Sequence, residues 1–404
     1  VERSAEEMAR DKLRDRLYEI NEMAGNFFHN CLVKTHYGEP GLAYFHKRHV
    51  SDDTIDAFKL GFAPDSWDKL TGAFMKKGVT GKELVALGLA KEKNGHFYDA
   101  FRGRVMFPIR DGRSRIVGFG GRVLDDSKPK YLNSPETPIF NKRRLLFAMD
   151  IAHKAIFEEG KAVLVEGYMD VISAHNRGIH NVVASLGTSF TDEQARLLQR
   201  QAKELVLAYD MDGAGRQATQ RAMTIVRGLG MRIRILSLPQ GTDPDEYINA
   251  AGPEKFRDAV NDAPNVLDYM LTRALSLYDA ATLEGKSAIT AMVLPVVAAV
   301  DNRVLLEAFL KKLAGRLQIG EDAVRSEFNK YVAAHPEAGQ QQVVISPSVS
   351  QHNAAARGTG TMAVAEENIL RFLLEKPASC ERISAKVDAA FFSDERRRRI
   401  IKLY

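Results

Sequence analysis

The sequence predicts an α/β protein in which a parallel sheet with flanking helices follows a basic α+β segment and precedes a helical bundle. Three observations support this fold class. Short apolar runs alternate with helical patterns between residues 161 and 250, as expected for parallel strands buried on both faces. Strand-like runs and turn signals fill residues 101–150, and residues 264–333 show helical periodicity.

The first segment, residues 1–155, is predicted to combine helices with an antiparallel sheet. Its first 60 residues are predicted to be helical, because apolar residues recur at helical spacing at Leu13, Leu17, Ile20 and Ala24. Residues 66–100 have the pattern of short helices interrupted by glycines. Arg104–Ile109 and Ile116–Phe119 are predicted strands, joined by a turn at Asp111-Gly112.

The second segment, residues 156–258, is predicted to form the parallel sheet. Its apolar runs are the candidate strands, and the helical patterns between them are the candidate covering helices. The predicted strands are Ala162–Val165, Asn181–Ser185, Leu205–Tyr209 and Ile233–Leu238. The predicted helices are Met169–Arg177, Asp192–Ala202 and Ala214–Arg227.

The remaining chain divides into three predicted parts. Residues 259–333 form the helical bundle, and residues 334–362 are a flexible linker because they are poor in apolar residues and rich in Gln, Ser and Gly. A new amphipathic helix begins in residues 363–404, whose pattern continues to the last residue. Since the sequence also lacks an initiator Met, we expect a piece of a longer protein.

Composition excludes several classes of protein. No uninterrupted apolar run reaches the roughly 18 residues that a membrane helix needs. The two cysteines, Cys31 and Cys380, have no Cys or His partner at zinc-ligand spacing. We therefore expect no membrane span, no disulfide framework and no structural zinc, and a reducing cytoplasm fits this composition.

Positive charge is concentrated between Arg102 and Arg144. This segment holds eleven Lys and Arg residues against four acids, a net charge of +7, whereas the whole chain carries +5. The charges are interleaved with strand-like apolar residues, as in Arg104–Arg110, and would then line one surface of a sheet. A phosphate-binding surface is favoured over a merely solvated face.

Acidic residues follow three of the predicted parallel strands. The carboxyl ends of such strands meet at one edge of the sheet, where ligands bind. Converging carboxylates repel one another, and Mg²⁺ or Mn²⁺ would offset that repulsion. The absence of His and Cys from the group argues against zinc, and helix capping is the alternative explanation for any single acid. The acids are Glu166, Asp170, Asp210, Asp212, Asp243 and Asp245.

Several strings of residues resemble known proteins. Val165–Asp170 and Ala208–Gly215 resemble the Toprim domain that topoisomerases and primases share. A narrower set resembles bacterial DNA primase, and this resemblance covers roughly residues 1–330. That set comprises Phe101–Ile109, Gly118–Arg122, Lys130–Thr137, Phe140–Lys142 and Gly241–Asp245.

The resemblance implies an RNA polymerase core that synthesises short RNA primers on single-stranded DNA. It implies ribonucleoside triphosphates as substrates, a replicative helicase as partner, and a location in the bacterial cytoplasm at the nucleoid. Residues 363–404 resemble the beginning of the family's helicase-binding domain. The family's N-terminal zinc-binding domain is not part of this sequence, so no zinc is expected in this chain.

The resemblance also implies roles for individual residues. Glu166, Asp210 and Asp212 would be the catalytic metal ligands, with Asp170, Asp243 and Asp245 as secondary ligands. Glu166 would also act as a general base. The residues implied in nucleotide and template binding are Arg102, Arg104, Arg122, Lys130, Tyr131, Asn133 and Lys142.

Two other classes of function are compatible with part of this pattern. The first is another Toprim enzyme, a topoisomerase or a nuclease. A topoisomerase needs a nucleophilic tyrosine on a separate DNA-gate domain, which the sequence does not suggest, and a nuclease would shorten DNA with the same metals. The second is a non-catalytic module that binds single-stranded nucleic acid, and the complete acid set argues against it.

We predict that removing everything after Ala333 leaves primer synthesis on bare template essentially unchanged. The linker has too few large apolar residues to offset the entropy cost of ordering it, and the roughly 40 residues that follow are too few to form a stable core alone. Limited proteolysis with a primer-synthesis assay checks this. A first cleavage inside residues 161–250, or an inactive 1–333 product, would contradict it.

Overall fold

A computed structural model describes residues 5–335 apart from 188–189, 210–221, 223–224, 226–228, 240, 299 and 301. The chain divides into two units, Val1–Val343 and Val344–Tyr404, and the described residues all belong to the first. The predicted linker, apart from its first two residues, and the segment after it lie outside the described residues. No described helix is long and apolar enough to cross a membrane.

The chain begins with helices, as predicted. They are α1 (Ala5–Lys34), α2 (Glu39–Lys47) and α3 (Asp52–Phe58), with a short 3-10 turn at His36–Gly38. The buried face of α1 carries Leu17, Ile20 and Ala24, but Leu13 is exposed. The helical spacing was therefore correct, and the buried stripe begins one turn later than predicted.

An antiparallel sheet follows these helices. The elements are β1 (Gly61–Ala63), α4 (Lys69–Met75), α5 (Gly81–Ala86), β2 (Ala90–Lys93), β3 (His96–Asp99), β4 (Arg104–Arg110), β5 (Ile116–Val123) and β6 (Tyr131–Asn133). The described strands of the main sheet lie in the order β1, β4, β5, β6. The predicted strands and the turn after Asp111 are confirmed, since Ser114 N donates to Asp111 O at 2.9 Å.

One part of this segment was predicted wrongly. Residues 90–99 were expected to be helical, but β2 and β3 pair as an antiparallel hairpin. The turn is Asn94-Gly95, and both residues have positive φ angles, 53° and 78°. An Asn-Gly pair favours this tight hairpin turn, and that local signal prevailed over the glycine-interrupted helical pattern.

The parallel sheet is confirmed. Its elements are α6 (Met149–Glu159), β7 (Lys161–Val165), α7 (Tyr168–Asn176), β8 (Val182–Ala184), α8 (Asp192–Gln199), β9 (Glu204–Leu207) and β10 (Arg232–Ile235). The described strands lie in the order β10, β9, β7, β8, and neighbouring strands are parallel. Their carboxyl ends therefore meet at one edge. The predicted helix Ala214–Arg227 lies almost entirely outside the described residues.

The described chain ends in helices, as predicted. They are α9 (Pro244–Ala251), α10 (Pro253–Asp262), α11 (Val266–Leu277), α12 (Leu283–Val297), α13 (Arg303–Leu317) and α14 (Glu321–Ala334). α9 begins at the carboxyl edge of the parallel sheet, and α11 to α14 share an apolar core. Mixed strands and helices with a parallel sheet and a helical end confirm the predicted fold class.

Tyr168 joins the two sheets. Its ring stacks on Phe107 of β4 at 4.8 Å between centroids and meets Phe147 edge-on at 4.8 Å. Its hydroxyl donates to Asn133 Oδ1 at 2.8 Å. A single apolar cluster runs through this contact and includes Phe107 and Val163, so the antiparallel and parallel sheets pack as one core.

We predict that Gly120→Ala lowers the free energy of unfolding by about 1–3 kcal/mol, because overpacking a well-filled core forces strain. A Cβ at Gly120 would lie 2.5 Å from Cζ of the buried Tyr168. Gly112→Ala is the matched control, since a Cβ there meets nothing within 4 Å. Urea unfolding of both variants checks this. Equal stabilities would mean that Tyr168 moves freely.

Candidate functional site

The carboxyl edge of the parallel sheet brings the ends of β7 and β9 side by side. Leu164 pairs with Leu207, and Ala208 N donates to Leu164 O at 2.9 Å. Glu166 follows β7 directly and is exposed. Burial raises the pKa of Tyr209 above its usual range, and the Glu166 carboxylate raises it further. Glu166 therefore lies close to the end of β9, after which Asp210 and Asp212 fall outside the described residues.

Asp170 lies in the first turn of α7 and is only 8% exposed. Its Oδ2 accepts a hydrogen bond from Gly167 N at 2.9 Å, and its Oδ1 accepts one from Asp245 N at 3.2 Å. Burial raises the pKa of Asp170 well above its usual range, and the neighbouring Asp243 carboxylate raises it further. Asp170 thus connects the loop after β7 to the start of α9.

Asp243 and Asp245 have different surroundings although they are two residues apart. Asp243 is half-buried and caps α9, where its Oδ1 accepts from Glu246 N at 2.7 Å. Asp245 is 2% exposed and pairs with Arg48 of the N-terminal segment. Burial raises the pKa of Asp245. The hydrogen bond from Ser173 and the positive charge of Arg48 oppose that rise.

The described acids fit a hard divalent cation by chemistry, because every donor is a carboxylate oxygen. Asp243 also raises the pKa values of Asp170 and Asp245 by its charge, so the cluster carries like-charge repulsion that a cation relieves. In the described ranges, however, no group of three or more His, Cys, Asp or Glu side chains is arranged to hold a metal ion. Asp210 and Asp212, the other predicted ligands, lie outside the described residues.

Two predicted binding residues have supporting roles. Arg104 is 7% exposed, and its Nη1 donates to the carbonyls of Gly121, Pro129 and Lys130 at 3.0–3.4 Å. Asn133 donates to Leu186 O at 3.1 Å and accepts from the Tyr168 hydroxyl. Both side chains hold β6 in place next to the acids.

The prediction that β4 lines an open basic surface is corrected. β4 is a central strand, and its residues are buried apart from the half-buried Arg110. Arg110 faces Asp150, with 3.7 Å between Nη1 and Oδ2. Arg104 and Arg110 are the first and last residues of β4. The two charges therefore flank a buried apolar strand and do not line an exposed face.

Arg122 and Tyr131 lie beside the acids. The Arg122 guanidinium is 4.8 Å from the centre of the Tyr44 ring, and the Arg48 guanidinium is 5.4 Å from that ring. Partial burial raises the pKa of Tyr131. The charge of Arg122 opposes this rise, and the Asp170 carboxylate adds to it. Burial raises the pKa of Tyr44 to about 12. This group therefore forms a wall of two cations and two phenols next to Asp170 and Asp245.

The other predicted binding residues lie nearer the surface. Lys130 is exposed, and Lys142 is half-buried in the 3-10 turn Lys142–Arg144, where its backbone N donates to Glu136 Oε1 at 3.0 Å. Arg102 is half-buried and lies over the exposed Trp67, with 4.0 Å between guanidinium and ring centre. The lysine side chains are placed where solutes can reach them.

Comparison with known proteins identifies the family. The family models for the N-terminal domain of the DNA primase catalytic core, for Toprim-like domains and for the DnaB-helicase binding domain of primase match residues 27–153, 163–248 and 267–322. A DNA primase domain from Pseudomonas aeruginosa is 35% identical with a TM-score of 0.67, and the match covers 78% of this chain and 99% of that one. The chain belongs to the bacterial DNA primase family.

Other primases give the same result over part of their length. The DNA primase of Deinococcus radiodurans is 46% identical over 288 residues, which is 70% of this chain and 50% of that protein. The DNA primase of Clostridium acetobutylicum is 40% identical over 77% of this chain and 51% of that protein. The chain thus spans about half the length of the curated primases it matches.

The primase match differs from the sequence analysis at one point. The model for helicase binding covers residues 267–322, which include nearly all of α11, the whole of α12 and α13, and the first two residues of α14. The predicted beginning of that domain is residues 363–404, which lie outside the described residues. The sequences of both regions have amphipathic helical periodicity, so periodicity alone did not distinguish them.

Two residues beside the acids were not among the residues predicted from the sequence. Arg48 and Tyr44 lie near the end of α2, outside the basic segment 102–144, and Arg48 reaches Asp245 across 197 positions of sequence. No local pattern in the sequence marks them. Their proximity to the acids follows from the packing of the N-terminal segment on the parallel sheet.

Proposed function

We propose that this chain is a primase catalytic core that synthesises short RNA primers on single-stranded DNA. Primer synthesis is nucleotidyl transfer from ribonucleoside triphosphates to the 3′ hydroxyl of the growing RNA. The observation that carries the proposal is the carboxyl edge of the parallel sheet. There, Glu166 and Asp243 lie on loops joined through Asp170, beside the cations Arg48 and Arg122.

Mg²⁺ or Mn²⁺ is the proposed cofactor, and we expect no zinc in this chain. When bound, such a cation activates an attacking hydroxyl and stabilises negative charge on phosphate oxygens. Glu166, Asp210 and Asp212 would hold it, with Asp170, Asp243 and Asp245 as the secondary group. Glu166 is exposed and is our candidate for accepting the proton of the primer's 3′ hydroxyl.

The basic residues would bind nucleotide and template. Lys130, which is exposed, and Lys142, which is half-buried, would contact phosphates, and Arg102 and Arg122 would add charge beside the acids. Tyr131 is 40% exposed and is available to stack on a base. Arg104 and Asn133 would act by holding β6 in place. One solved relative is a DnaG primase catalytic domain bound to ssDNA, which supports a template site on this domain.

The proposed partners are those that primer synthesis during DNA replication requires. The match of α11–α13 to a helicase-binding domain supports a replicative helicase as partner, with residues 363–404 as a second candidate region. Template DNA, ribonucleoside triphosphates and the RNA primer complete the set. Since chromosomal replication takes place at the bacterial nucleoid, we propose a cytoplasmic, nucleoid-associated location.

Primer synthesis tests this function directly. The chain is incubated with a single-stranded DNA template, ribonucleotides and magnesium, and with a separately supplied zinc-binding domain in a second arm. We expect labelled RNA that depends on template in at least one arm. Shortened DNA would indicate a nuclease, and template binding without any product would indicate a binding module.

We predict that Glu166→Gln and Asp210→Asn each reduce synthesis by about 100-fold or more, because each removes a metal-binding charge. Both variants should fold, and their melting temperatures in metal-free buffer should equal or exceed that of the parent because like-charge repulsion falls. Glu158→Gln removes the same charge from the exposed end of α6 and serves as control. Full activity of either site variant at saturating magnesium would exclude this metal assignment.

We predict that Lys130→Ala and Lys142→Ala each weaken binding to single-stranded DNA with little change in stability. Each substitution removes one phosphate contact, so the slope of log affinity against log salt concentration should fall by about 0.7 to 1. Lys154→Ala, an exposed lysine on α6, is the control. Unchanged affinity of both variants across a salt titration would indicate a solvated surface.

A further inference from the structure

The acids of the predicted metal set that the structure describes divide into two pairs. Glu166 is exposed and Asp243 is half-buried, so both can reach a solute at the edge of the sheet. Asp170 and Asp245 are 8% and 2% exposed. The two pairs therefore have different access to a cation, although sequence reasoning grouped all of them as ligands.

Asp245 already accepts hydrogen bonds on both carboxylate oxygens. Its Oδ1 accepts from the Ser173 hydroxyl and from Asn249 Nδ2 at 2.8 Å, and its Oδ2 accepts from Arg48 Nη1. A carboxylate offers about four lone-pair directions. The three partners leave Asp245 about one of these directions, on a residue that is 2% exposed, and a cation that displaced Arg48 would leave an uncompensated charge beside the carboxylate.

Asp170 connects the loops that carry the two accessible acids. It accepts from the backbone N of Gly167 at 2.9 Å and from the backbone N of Asp245 at 3.2 Å. Gly167 directly follows Glu166, and Asp245 is two residues beyond Asp243. A shift of Asp245 would therefore move Asp243, and through Asp170 it would also move the loop that carries Glu166.

We propose that Arg48 is a positioning residue for the metal-binding edge. By holding Asp245, it fixes the start of α9 and so the placement of Asp243 relative to Glu166. Arg48 belongs to the N-terminal segment, so its contact with Asp245, and not the docking of that segment as a whole, becomes a condition for high metal affinity. This inference rests on the proposed function only in taking Glu166 and Asp243 as members of the metal set.

The same two parts of the chain meet at a second contact that provides a matched control. Asn176 at the end of α7 accepts from Ser51 N at 2.9 Å, from Ser51 Oγ at 2.9 Å and from Thr54 Oγ1 at 2.8 Å, and it donates to His49 O at 2.9 Å. Asn176 lies at the opposite end of α7 from Asp170. Removing its side chain weakens the docking of the N-terminal segment without touching the acids.

The test measures Mn²⁺ binding to the full chain by electron paramagnetic resonance, with melting temperatures recorded for every variant. We expect Arg48→Met to weaken Mn²⁺ binding by about 10-fold, the lower end of the range for residues that orient metal ligands. Arg48→Lys should recover part of that loss. Asn176→Ala should lower the melting temperature and leave the Mn²⁺ affinity within about twofold of the parent.

Two further variants test whether Asp245 is held by Arg48 or binds the metal directly. They are Asp245→Asn and the double variant Arg48→Met with Asp245→Asn. If Arg48 acts through Asp245, the double variant should bind Mn²⁺ about as weakly as Arg48→Met alone, because coupled residues are not additive. Three results would overturn the proposal: Mn²⁺ binding that is unchanged or tighter in Arg48→Met, a loss in Asp245→Asn at least tenfold larger than in Arg48→Met, or a parent chain that binds no Mn²⁺.

Primer synthesis is measured separately on the same variants. If the parent makes no primer, the proposed function fails, while the Mn²⁺ comparison between Arg48→Met and Asn176→Ala still decides the role of Arg48. If the parent makes primer and Arg48→Met has the parent's Mn²⁺ affinity, the function stands and the positioning role does not.

Discussion

The repulsion between carboxylates gathered at one edge of a parallel sheet shapes much of the surrounding structure. Asp170 and Asp245 are buried there, and burying a charge is costly unless it is paired and hydrogen-bonded. Backbone amides of Gly167 and Asp245, the Ser173 hydroxyl and the Arg48 guanidinium provide those partners. Because the partners come from the loop after β7, from α7, from α9 and from the N-terminal segment, satisfying these two acids fixes four parts of the chain relative to one another.

The apolar join between the two sheets complements this polar network. Tyr168 stacks on Phe107 and donates to Asn133, so the strand that carries Tyr131 is held against the domain that carries the acids. Gly120 leaves the space that the Tyr168 ring occupies. Side chains suited to bind phosphate and base are thereby kept next to carboxylates suited to bind metal, which is the juxtaposition that nucleotidyl transfer requires.

Some charged residues of the segment Arg102–Arg144 are buried against other parts of the protein, and others are exposed. Arg104 and Arg110 interact with carbonyls or with Asp150 at the ends of a buried strand, while Lys130 is exposed on the connection to β6. Net charge alone does not distinguish these cases, because a guanidinium can satisfy buried carbonyls as readily as it binds a phosphate. The number of residues free to bind nucleic acid is therefore smaller than the charge of the segment suggests.

The sequence by itself determined the fold class, the parallel strands and the edge at which the acids meet. These features depend on apolar runs and on the rule that ligands lie beyond the carboxyl ends of parallel strands, both of which are local or topological. The tertiary structure alone separated exposed Glu166 from buried Asp245, brought Arg48 to that acid, and gave Arg104 and Asn133 their supporting roles. The helix predicted for residues 90–99 failed for a local reason, the Asn-Gly turn. The other differences arise because burial and hydrogen-bond partners depend on residues far apart in the chain, which no spacing pattern encodes.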